Sequence, residues 1–160
     1  MKMSAKGLEL IKHFEGVKNR PYLCPAKLWT IGVGSVLYPE QAKIKDLAAR
    51  AAYPLKPQHN RVFSKEEIDA ILAEDVHRFE RGVERLVTVP MSQGIYDCTV
   101  SFSFNLGLGT LQRSTYLQKL NRGDKAGALE SLLKYNKAGG KILKGLDLRR
   151  KAEAALFMSK

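Results

Sequence analysis

The stretch HFEGVKNRPYLCPAKLWTIGVG, His13 to Gly34, is where the sequence changes from a helical to an extended pattern. Before it, apolar residues recur at three-residue steps, at Leu8, Ile11 and Phe14. This spacing is typical of one face of an amphipathic helix, which we predict over residues 6–14. Gly16 predicts the end of that helix, because glycine readily adopts the left-handed conformation that follows a last helical turn.

The residues after Gly16 predict a small sheet. Pro21 and Pro25 exclude a regular helix there, and the segment WTIGVG alternates in the manner of a strand. We therefore predict a β-hairpin or small sheet between Tyr22 and Val36.

Three residues of the opening stretch carry side chains suited to chemistry. Glu15, in the last helical turn, faces the negative end of the helix dipole, which favours the protonated carboxyl group that a general acid requires. Cys24 follows nine positions later and Thr30 six after that. Each has a structural alternative: a solvated surface glutamate, a small buried thiol and a threonine chosen for its β-propensity. Spacing alone leaves these alternatives open.

The rest of the chain predicts helices. One is expected over Ala42–Ala52, between two prolines. Ser64 and Glu67 form a capping-box pattern that begins a long amphipathic helix. Ser92 is placed to cap the segment QGIYDCTVSFSFN, which is apolar on most sides and so predicts a buried central helix ended by LGLG. Shorter helices are expected over residues 114–120, 125–135 and 145–157.

These elements predict an α+β protein that is predominantly helical. The chain of 160 residues suits one domain. Within it we expect a small β-containing lobe, about residues 16–62, and a helical lobe, about residues 63–160 together with the first helix. A cleft between two lobes is a common place for a binding site.

The excess of positive charge indicates which classes of binding partner the protein favours. The chain has 27 Lys and Arg against 16 Asp and Glu, a net charge of +11, which favours anionic partners such as nucleic acid, membrane or cell wall. The basic residues are dispersed without interleaved aromatic side chains, so we expect no nucleic-acid groove. The N-terminal residues are interrupted by charge, and no run approaches the roughly 18 apolar residues of a membrane span, so we expect no signal peptide and no transmembrane segment.

The cysteines and histidines show no metal-ligand spacing. Cys24 and Cys98 are too few for a disulfide framework, and we expect both to be reduced thiols of a protein made in a cytosol. Cys98 lies three and four positions from apolar neighbours, which predicts core packing. His13, His59 and His77 are scattered along the chain. We therefore expect neither a metal nor a cofactor.

The combined motifs resemble the phage lysozyme family, whose members include the endolysins. The spacing of Glu15, Cys24 and Thr30 followed by IGVG is similar to that family's motif of Glu, then Asp or Cys, then Thr and IGxGH. Two later blocks resemble it as well: VPMSQGIYDCTVSFSFNLGLGTLQRSTYLQKLNRGDKAGA and YNKAGGKILKGLDLRRKAEAALF. The resemblance covers the chain from Gly7 to Phe157.

The resemblance implies a lysozyme-like fold and a muramidase activity on the β-1,4 bond between N-acetylmuramic acid and N-acetylglucosamine of peptidoglycan. It implies that Glu15 donates the proton to the glycosidic oxygen, that Cys24 occupies the place of the second carboxylate, and that Thr30 helps to hold the attacking water. Five further positions are implied to contact the glycan: Gly34, Phe104, Asn105, Ser114 and Tyr135. Each has a structural alternative, such as core packing for Phe104, a helix cap for Ser114 and a turn for Gly34.

Three positions depart from the family's usual residues. Cys24 replaces the commoner Asp, and a thiol there can position or deprotonate a water or attack the sugar itself. Ser35 stands where the family often has His, so any ion pair made by that His is absent. Tyr135 replaces the usual Trp and keeps an aromatic surface.

The sequence therefore predicts a monomeric endolysin that is made in the host cytoplasm and admitted to the wall by a separate membrane-hole protein. A different interpretation is a basic protein with little or no catalysis that binds or permeabilises the envelope, its site weakened by Cys24. The net charge suits either, since the bacterial envelope is anionic. Eight basic residues against two acidic ones between Lys134 and Lys160 predict an envelope-facing patch at the end of the chain.

Overall fold

The computed structural model describes residues 1–159 and is mostly helical, with two small antiparallel sheets. The helices are α1 (Ala5–Glu15), α2 (Leu47–Ala51), α3 (Lys65–Leu86), α4 (Gln93–Leu106), α5 (Leu108–Arg113), α6 (Thr115–Asn121), α7 (Lys125–Leu133) and α8 (Lys144–Met158). The strands are β1 (Lys18–Leu23), β2 (Trp29–Gly32), β3 (Ser35–Val36), β4 (Lys137–Ala138) and β5 (Lys141–Ile142). The predicted α+β class with a helical majority is confirmed. No helix of the described residues is long and apolar enough to span a membrane.

The chain divides into two compact units. We call Glu15–Asp75 the sheet unit, and Met1–Phe14 with Val76 onward the helical unit. The division falls inside α3, which contributes its first half to one unit and its second half to the other.

The sheet unit contains a three-stranded antiparallel sheet in the order β1–β2–β3. Thr30 lies in the central strand, opposite Tyr22 of β1 and Val36 of β3. The register of β1 against β2 shifts between Lys18 and Tyr22. The predicted sheet is confirmed, and its first strand begins four residues earlier than Tyr22, at Lys18.

The helix predicted over Ala42–Ala52 is wrong in extent. A 3₁₀ helix at Pro39–Lys43 is followed by extended backbone at Ile44, and α2 begins only after Asp46, whose side chain accepts a hydrogen bond from the Ala49 amide at 2.9 Å. The buried Gln41 explains the interruption, because its amide group bonds to three backbone groups from other parts of this unit. Those long-range bonds outweigh local helix propensity.

The capping box that begins α3 is confirmed. The Glu67 amide donates to Ser64 Oγ at 3.1 Å, and the Ser64 amide donates to Glu67 Oε1 at 3.0 Å. The apolar stripe of this helix is buried, at Ile68, Leu72, Val76 and Val83. Local capping and hydrophobic periodicity were sufficient to predict this helix.

Helix α4 is the buried centre of the helical unit, as predicted. Ser92 caps it by accepting a hydrogen bond from the Ile95 amide at 3.2 Å, and all residues from Gly94 to Ser103 are buried. Cys98 is a fully buried free thiol, which confirms its place in the core. Both cysteines are free thiols.

Two elements of the helical unit were missed. Gly107 (φ 95°) ends α4 as predicted, but α5 begins at the next residue. The segment after α7, where a loop between two helices was expected, forms the hairpin β4–β5. Its turn contains Gly139 (φ 59°) and Gly140 (φ 78°). Both elements are very short, so neither has enough length to show a hydrophobic period.

Candidate active site

Glu15 is the last residue of α1, and Gly16 (φ 81°) ends the helix immediately after it. Only glycine adopts this left-handed backbone conformation without strain, so Gly16 directs the chain out of the helix into β1. The Glu15 side chain is solvent-exposed, which keeps its carboxyl group accessible to a ligand.

Cys24 lies in the tight turn that joins β1 to β2. The Lys27 amide donates to the Cys24 carbonyl at 2.8 Å, and the Cys24 amide donates to the Leu28 carbonyl at 3.0 Å. Lys27 adopts a positive φ of 61°, which is uncommon for a residue other than glycine. The turn therefore holds the half-buried Cys24 at the end of the sheet by backbone bonds on both sides.

The surroundings of Cys24 favour its thiolate. Partial burial raises the pKa of the thiol, but hydrogen bonds from the backbone amides of Leu28 and Ala26 and from the Thr30 hydroxyl outweigh that effect. The pKa of Cys24 is therefore below that of an ordinary thiol. Because the thiolate is the reactive form of cysteine, a larger fraction of Cys24 is reactive at neutral pH.

Thr30 lies close enough to Cys24 for its hydroxyl to lower the pKa of the thiol. Its side chain is 2 % exposed, and its hydroxyl donates to the Leu28 carbonyl at 2.9 Å. One hydroxyl proton serves one acceptor well, so Thr30 donates either to that carbonyl or to the Cys24 thiolate. In the first arrangement its oxygen lone pairs remain available to accept a hydrogen bond from a water molecule.

Gly34 and Ser35 form the turn between β2 and β3. Gly34 (φ 81°) is exposed, and no atom lies within 4 Å of the place where a Cβ would be. Asp75 of α3, a residue that sequence reasoning missed, lies near enough to Ser35 for the serine to affect the pKa of its carboxyl group. Burial raises the pKa of Asp75, Ser35 lowers it, and the nearby Glu74 raises it, with a net upward shift. Ser35, at the position where the resemblance places a His, thus has an acidic neighbour.

Ser35→His is expected to stabilise the protein at acidic pH. An imidazolium paired with Asp75 has a raised folded-state pKa, so its stabilisation is fully present below the unfolded histidine pKa of about 6.5 and is lost as pH rises through the raised value. A charge-assisted hydrogen bond contributes about 1.5–3 kcal/mol. Urea unfolding at pH 5.5 and 8.5 measures the difference, and the gain should disappear when Asp75→Asn is added. An equal gain at both pH values would exclude the ion pair.

The predicted glycan contacts of the helical unit lie in several different environments. Phe104 packs on Phe79 of α3 with ring centroids 5.2 Å apart. Asn105 accepts a hydrogen bond from Arg150 at 2.7 Å. Both Phe104 and Asn105 are half-buried, so part of each side chain faces solvent.

Ser114 is a helix cap in this structure. Its side chain is 1 % exposed, donates to the Leu111 carbonyl at 2.7 Å and accepts from the Leu117 amide at 3.0 Å. The hydroxyl is therefore fully used within the protein, in agreement with the structural alternative raised for it. A role of Ser114 in glycan binding stays a prediction.

Tyr135 is half-buried beside Phe102, with ring centroids 5.2 Å apart in an edge-to-face arrangement. Its hydroxyl accepts a hydrogen bond from the Thr115 amide at 3.3 Å. A polar cavity of about 250 Å³ adjoins it and is lined by Thr115, Lys119, Ser131, Lys134 and Tyr135.

The predicted basic patch at the end of the chain needs correction. Arg149 and Arg150 are buried, at 3 % and 0 % exposure, so neither faces the envelope. Lys160 lies outside the described residues. Composition counts charges but does not show which of them are buried.

No group of three or more His, Cys, Asp or Glu side chains within residues 1–159 is placed to hold a metal ion.

Comparison with known proteins places these features in a family. The family model for phage lysozyme matches residues 12–153. The chain is 37 % identical to the endolysin of Acyrthosiphon pisum secondary endosymbiont phage 1, covering 99 % of both proteins. It is also 37 % identical to the endolysin of Bacillus phage B103, where 99 % of this chain spans 55 % of the longer relative.

Structural comparison agrees. The muramidase domain of SpmX from Asticaccaulis excentricus superposes with a TM-score of 0.78 at 28 % identity, with 99 % of both chains covered. The matches in sequence and in structure extend over almost the whole chain, including Glu15, Cys24 and Thr30. The chain has the lysozyme fold and belongs to the phage lysozyme family.

Proposed function

We propose that this chain is an endolysin of the muramidase class, a glycoside hydrolase that cleaves the β-1,4 bond between N-acetylmuramic acid and N-acetylglucosamine in peptidoglycan. Family membership supports this activity. The hydrogen bonds around Cys24 carry the proposal further, because they favour a thiolate at the position to which the motif resemblance assigns the second carboxylate. A site weakened by an inert thiol would not need those bonds.

In the proposed reaction Glu15 acts as the general acid. Its carboxyl proton passes to the glycosidic oxygen, so that the leaving sugar departs as a neutral alcohol. General acid catalysis of this kind contributes about 10²- to 10⁴-fold in rate. The exposed position of Glu15 at the end of α1 leaves the carboxyl group accessible to the glycan.

Cys24 and Thr30 act on the water that replaces the leaving sugar. The Thr30 hydroxyl, donating to the Leu28 carbonyl, accepts a hydrogen bond from the water and orients its oxygen. The Cys24 thiolate accepts the second proton of that water as its oxygen bonds to the anomeric carbon. With Thr30 donating to Leu28, the backbone amides of Leu28 and Ala26 still lower the pKa of Cys24 and so increase the fraction of this base in its active thiolate form.

A second path uses the same residues. The Cys24 thiolate attacks the anomeric carbon itself, and water then hydrolyses the glycosyl thioether with Glu15 acting as base. One displacement inverts the anomeric configuration and two displacements retain it, so NMR of the first-formed product separates the paths.

Product analysis of purified peptidoglycan tests the activity. A muramidase leaves a reducing N-acetylmuramic acid, which borohydride converts to muramitol, with no release of peptides from the glycan. Mass spectrometry of the reduced products should therefore show muramitol ends. Reduced glucosamine ends, anhydro-muramic acid or free stem peptides would each indicate a different enzyme class.

The cellular setting follows from the family resemblance. The single catalytic domain is synthesised in the host cytoplasm, acts as a monomer and reaches peptidoglycan through a hole formed by a separate membrane protein. No cofactor is required for the reaction described above, since acid, base and water supply every atom that moves.

Electrostatic attraction to the wall is expected to make lysis sensitive to salt. The net charge of +11 favours encounter with anionic wall, and the Debye length falls from about 30 Å at 0.01 M to about 10 Å at 0.1 M salt. Lysis of whole walls should slow over this range, whereas hydrolysis of a small uncharged chitooligosaccharide should change much less. Turbidity and reducing-end assays measure the two rates. Equal salt sensitivity would contradict electrostatic steering.

A further inference from the structure

A buried carboxylate in the last helix takes no part in the proposed chemistry. Glu153 of α8 is 0 % exposed, and so is Arg150, which precedes it by one helical turn. Acidic and basic side chains are almost never fully buried unless they are paired. The pair belongs to the motif RRKAE, which resemblance to the family left without a role.

Glu153 is held on both oxygens. Its Oε1 lies 2.7 Å from Arg150 Nε, and its Oε2 accepts a hydrogen bond from Ser101 Oγ of α4 at 2.5 Å. Arg149 Nε lies 3.4 Å from the same Oε2. The carboxylate therefore cannot turn without losing its contacts with Ser101 of α4 and with two arginines of its own helix.

Arg150 uses its remaining nitrogens on predicted glycan contacts. Nη2 donates to Asn105 Oδ1 at 2.7 Å, and Nη1 donates to the Tyr135 carbonyl at 3.2 Å. Because the guanidinium group is planar, the ion pair between Nε and Glu153 Oε1, which is close but lacks hydrogen-bond geometry, restricts where the other two nitrogens point. Glu153 thus helps to orient the two Nη atoms of Arg150, which bond to Asn105 and to the backbone of Tyr135.

The contact with Arg150 also decides which way the Asn105 amide faces. Arginine has only donors, so Asn105 must turn its oxygen toward Arg150 and its Nδ2 group away from it. Asn105 is half-buried at the end of α4, so Nδ2 presents two donors at a partly open surface. Glycans offer carbonyl and hydroxyl oxygens that accept such bonds.

We propose that Glu153 is a positioning residue for glycan binding: it holds Arg150, and Arg150 orients Asn105 so that Nδ2 donates to an oxygen of the glycan. This inference rests on the proposed function, since it names a determinant of binding for the substrate proposed above. Glu153 does not touch the glycan and acts only through Arg150.

Binding of N-acetylglucosamine hexamer, measured by calorimetry in a Glu15→Gln background, tests the proposal without cleavage. Asn105→Asp keeps an oxygen acceptor for Arg150, removes the Nδ2 donors and adds a negative charge next to the guanidinium group. It should fold with unchanged or higher Tm and bind about tenfold more weakly, the effect of one lost hydrogen bond. Native affinity for Asn105→Asp would overturn the proposal.

Two further variants test the link to Glu153. Glu153→Gln keeps the volume and removes the charge, and Arg150→Lys keeps the buried ion pair but cannot bond to Glu153 and Asn105 together. Each should weaken binding about as much as Asn105→Asp, and combining either with Asn105→Asp should weaken it no further. Additive losses would show that Glu153 and Arg150 affect binding independently of Asn105, and unchanged affinity would show that they act on stability alone; either result would overturn the proposal. If Glu153→Gln fails to fold, the hexamer affinity of Arg150→Lys, alone and combined with Asn105→Asp, tests the proposal.

Activity separates this inference from the proposed function. In the otherwise native enzyme these variants should raise KM about tenfold and change kcat less than about twofold, because the bond is made equally in ground and transition states. Glu130→Gln is the matched control, an exposed glutamate paired with Lys134 at 3.9 Å. If the protein binds the hexamer in the predicted pattern but cleaves no peptidoglycan, the positioning role stands and the proposed function fails.

Discussion

Glu15→Gln should lower the rate of wall lysis by about 10²- to 10⁴-fold, the usual contribution of a general acid. Glutamine keeps the shape of the side chain but has no proton to give to the glycosidic oxygen. The leaving sugar must then depart as an alkoxide, which raises the barrier. Turbidity loss of peptidoglycan-containing cells measures the effect, together with a wall-binding assay that should be unchanged.

Glu9→Gln is the matched control for this variant. Glu9 lies on the same helix, is exposed and pairs with Lys12 at 3.1 Å, so its loss should leave lysis within about twofold, as for most exposed ion pairs. If Glu15→Gln lyses walls as fast as Glu9→Gln, Glu15 is not the acid. The carboxylate would then be a solvated helix end.

Cys24→Ala should lower the rate of lysis by about 10²-fold, the lower end of the contribution of a general base. Alanine removes the group that accepts the proton from water, while Glu15 and Thr30 remain to protonate the leaving group and orient the water. Cys24→Asp should stay active, since it restores the residue that the family more often has. Native activity of a folded Cys24→Ala would assign Cys24 to packing.

The pH profile adds a second measurement for Cys24. The base must be ionised, so kcat/KM should rise with pH through the pKa of the residue at this position. The pKa of Cys24 is lowered from that of a thiol, but an aspartate ordinarily titrates near 3.9. The acidic limb should therefore move to lower pH in Cys24→Asp. An unchanged limb would show that another group controls it.

Alkylation and mass spectrometry complete the test. Burial raises the pKa of Cys98 well above that of an ordinary thiol, whereas the pKa of half-buried Cys24 is lowered. Iodoacetamide should therefore modify Cys24 first and stop lysis, and Cys98→Ala should be inhibited equally. A glycosyl mass on Cys24 during turnover would indicate direct attack by sulfur. Its absence would indicate that Cys24 activates water.

Much of this protein can be predicted from patterns that are local in sequence. The end of α1 at Gly16, the capping box of Ser64 and Glu67, and the buried course of α4 each depend on neighbours three or four residues apart. Such neighbours meet whenever a helix forms, whatever the rest of the chain does. The spacing of Glu15, Cys24 and Thr30, with two later blocks, was enough to identify the family.

Other features arise only from the geometry of a folded turn or from contacts between residues distant in sequence. The lowered pKa of Cys24 depends on amides of its turn and on Thr30 from the next strand, and the partner of Ser35 is Asp75 from α3. Neither the geometry of this turn nor the contact between Ser35 and Asp75 can be predicted from residue spacing or composition.

Burial was the property that composition could least predict. Arg149, Arg150 and Glu153 look like the charged face of a helix, yet the fold places them inside the helical unit. Burying a charged side chain costs free energy because the charge loses its hydration, and bonds to other groups must offset that cost. Here those groups come from α4 and from the residues after α7. The sequence by itself determined the family and most of the helices, and it led to the proposal of the reacting side chains. Tertiary structure alone decided which charges are paired in the interior, because hydrogen bonds between distant residues exist only in the folded chain.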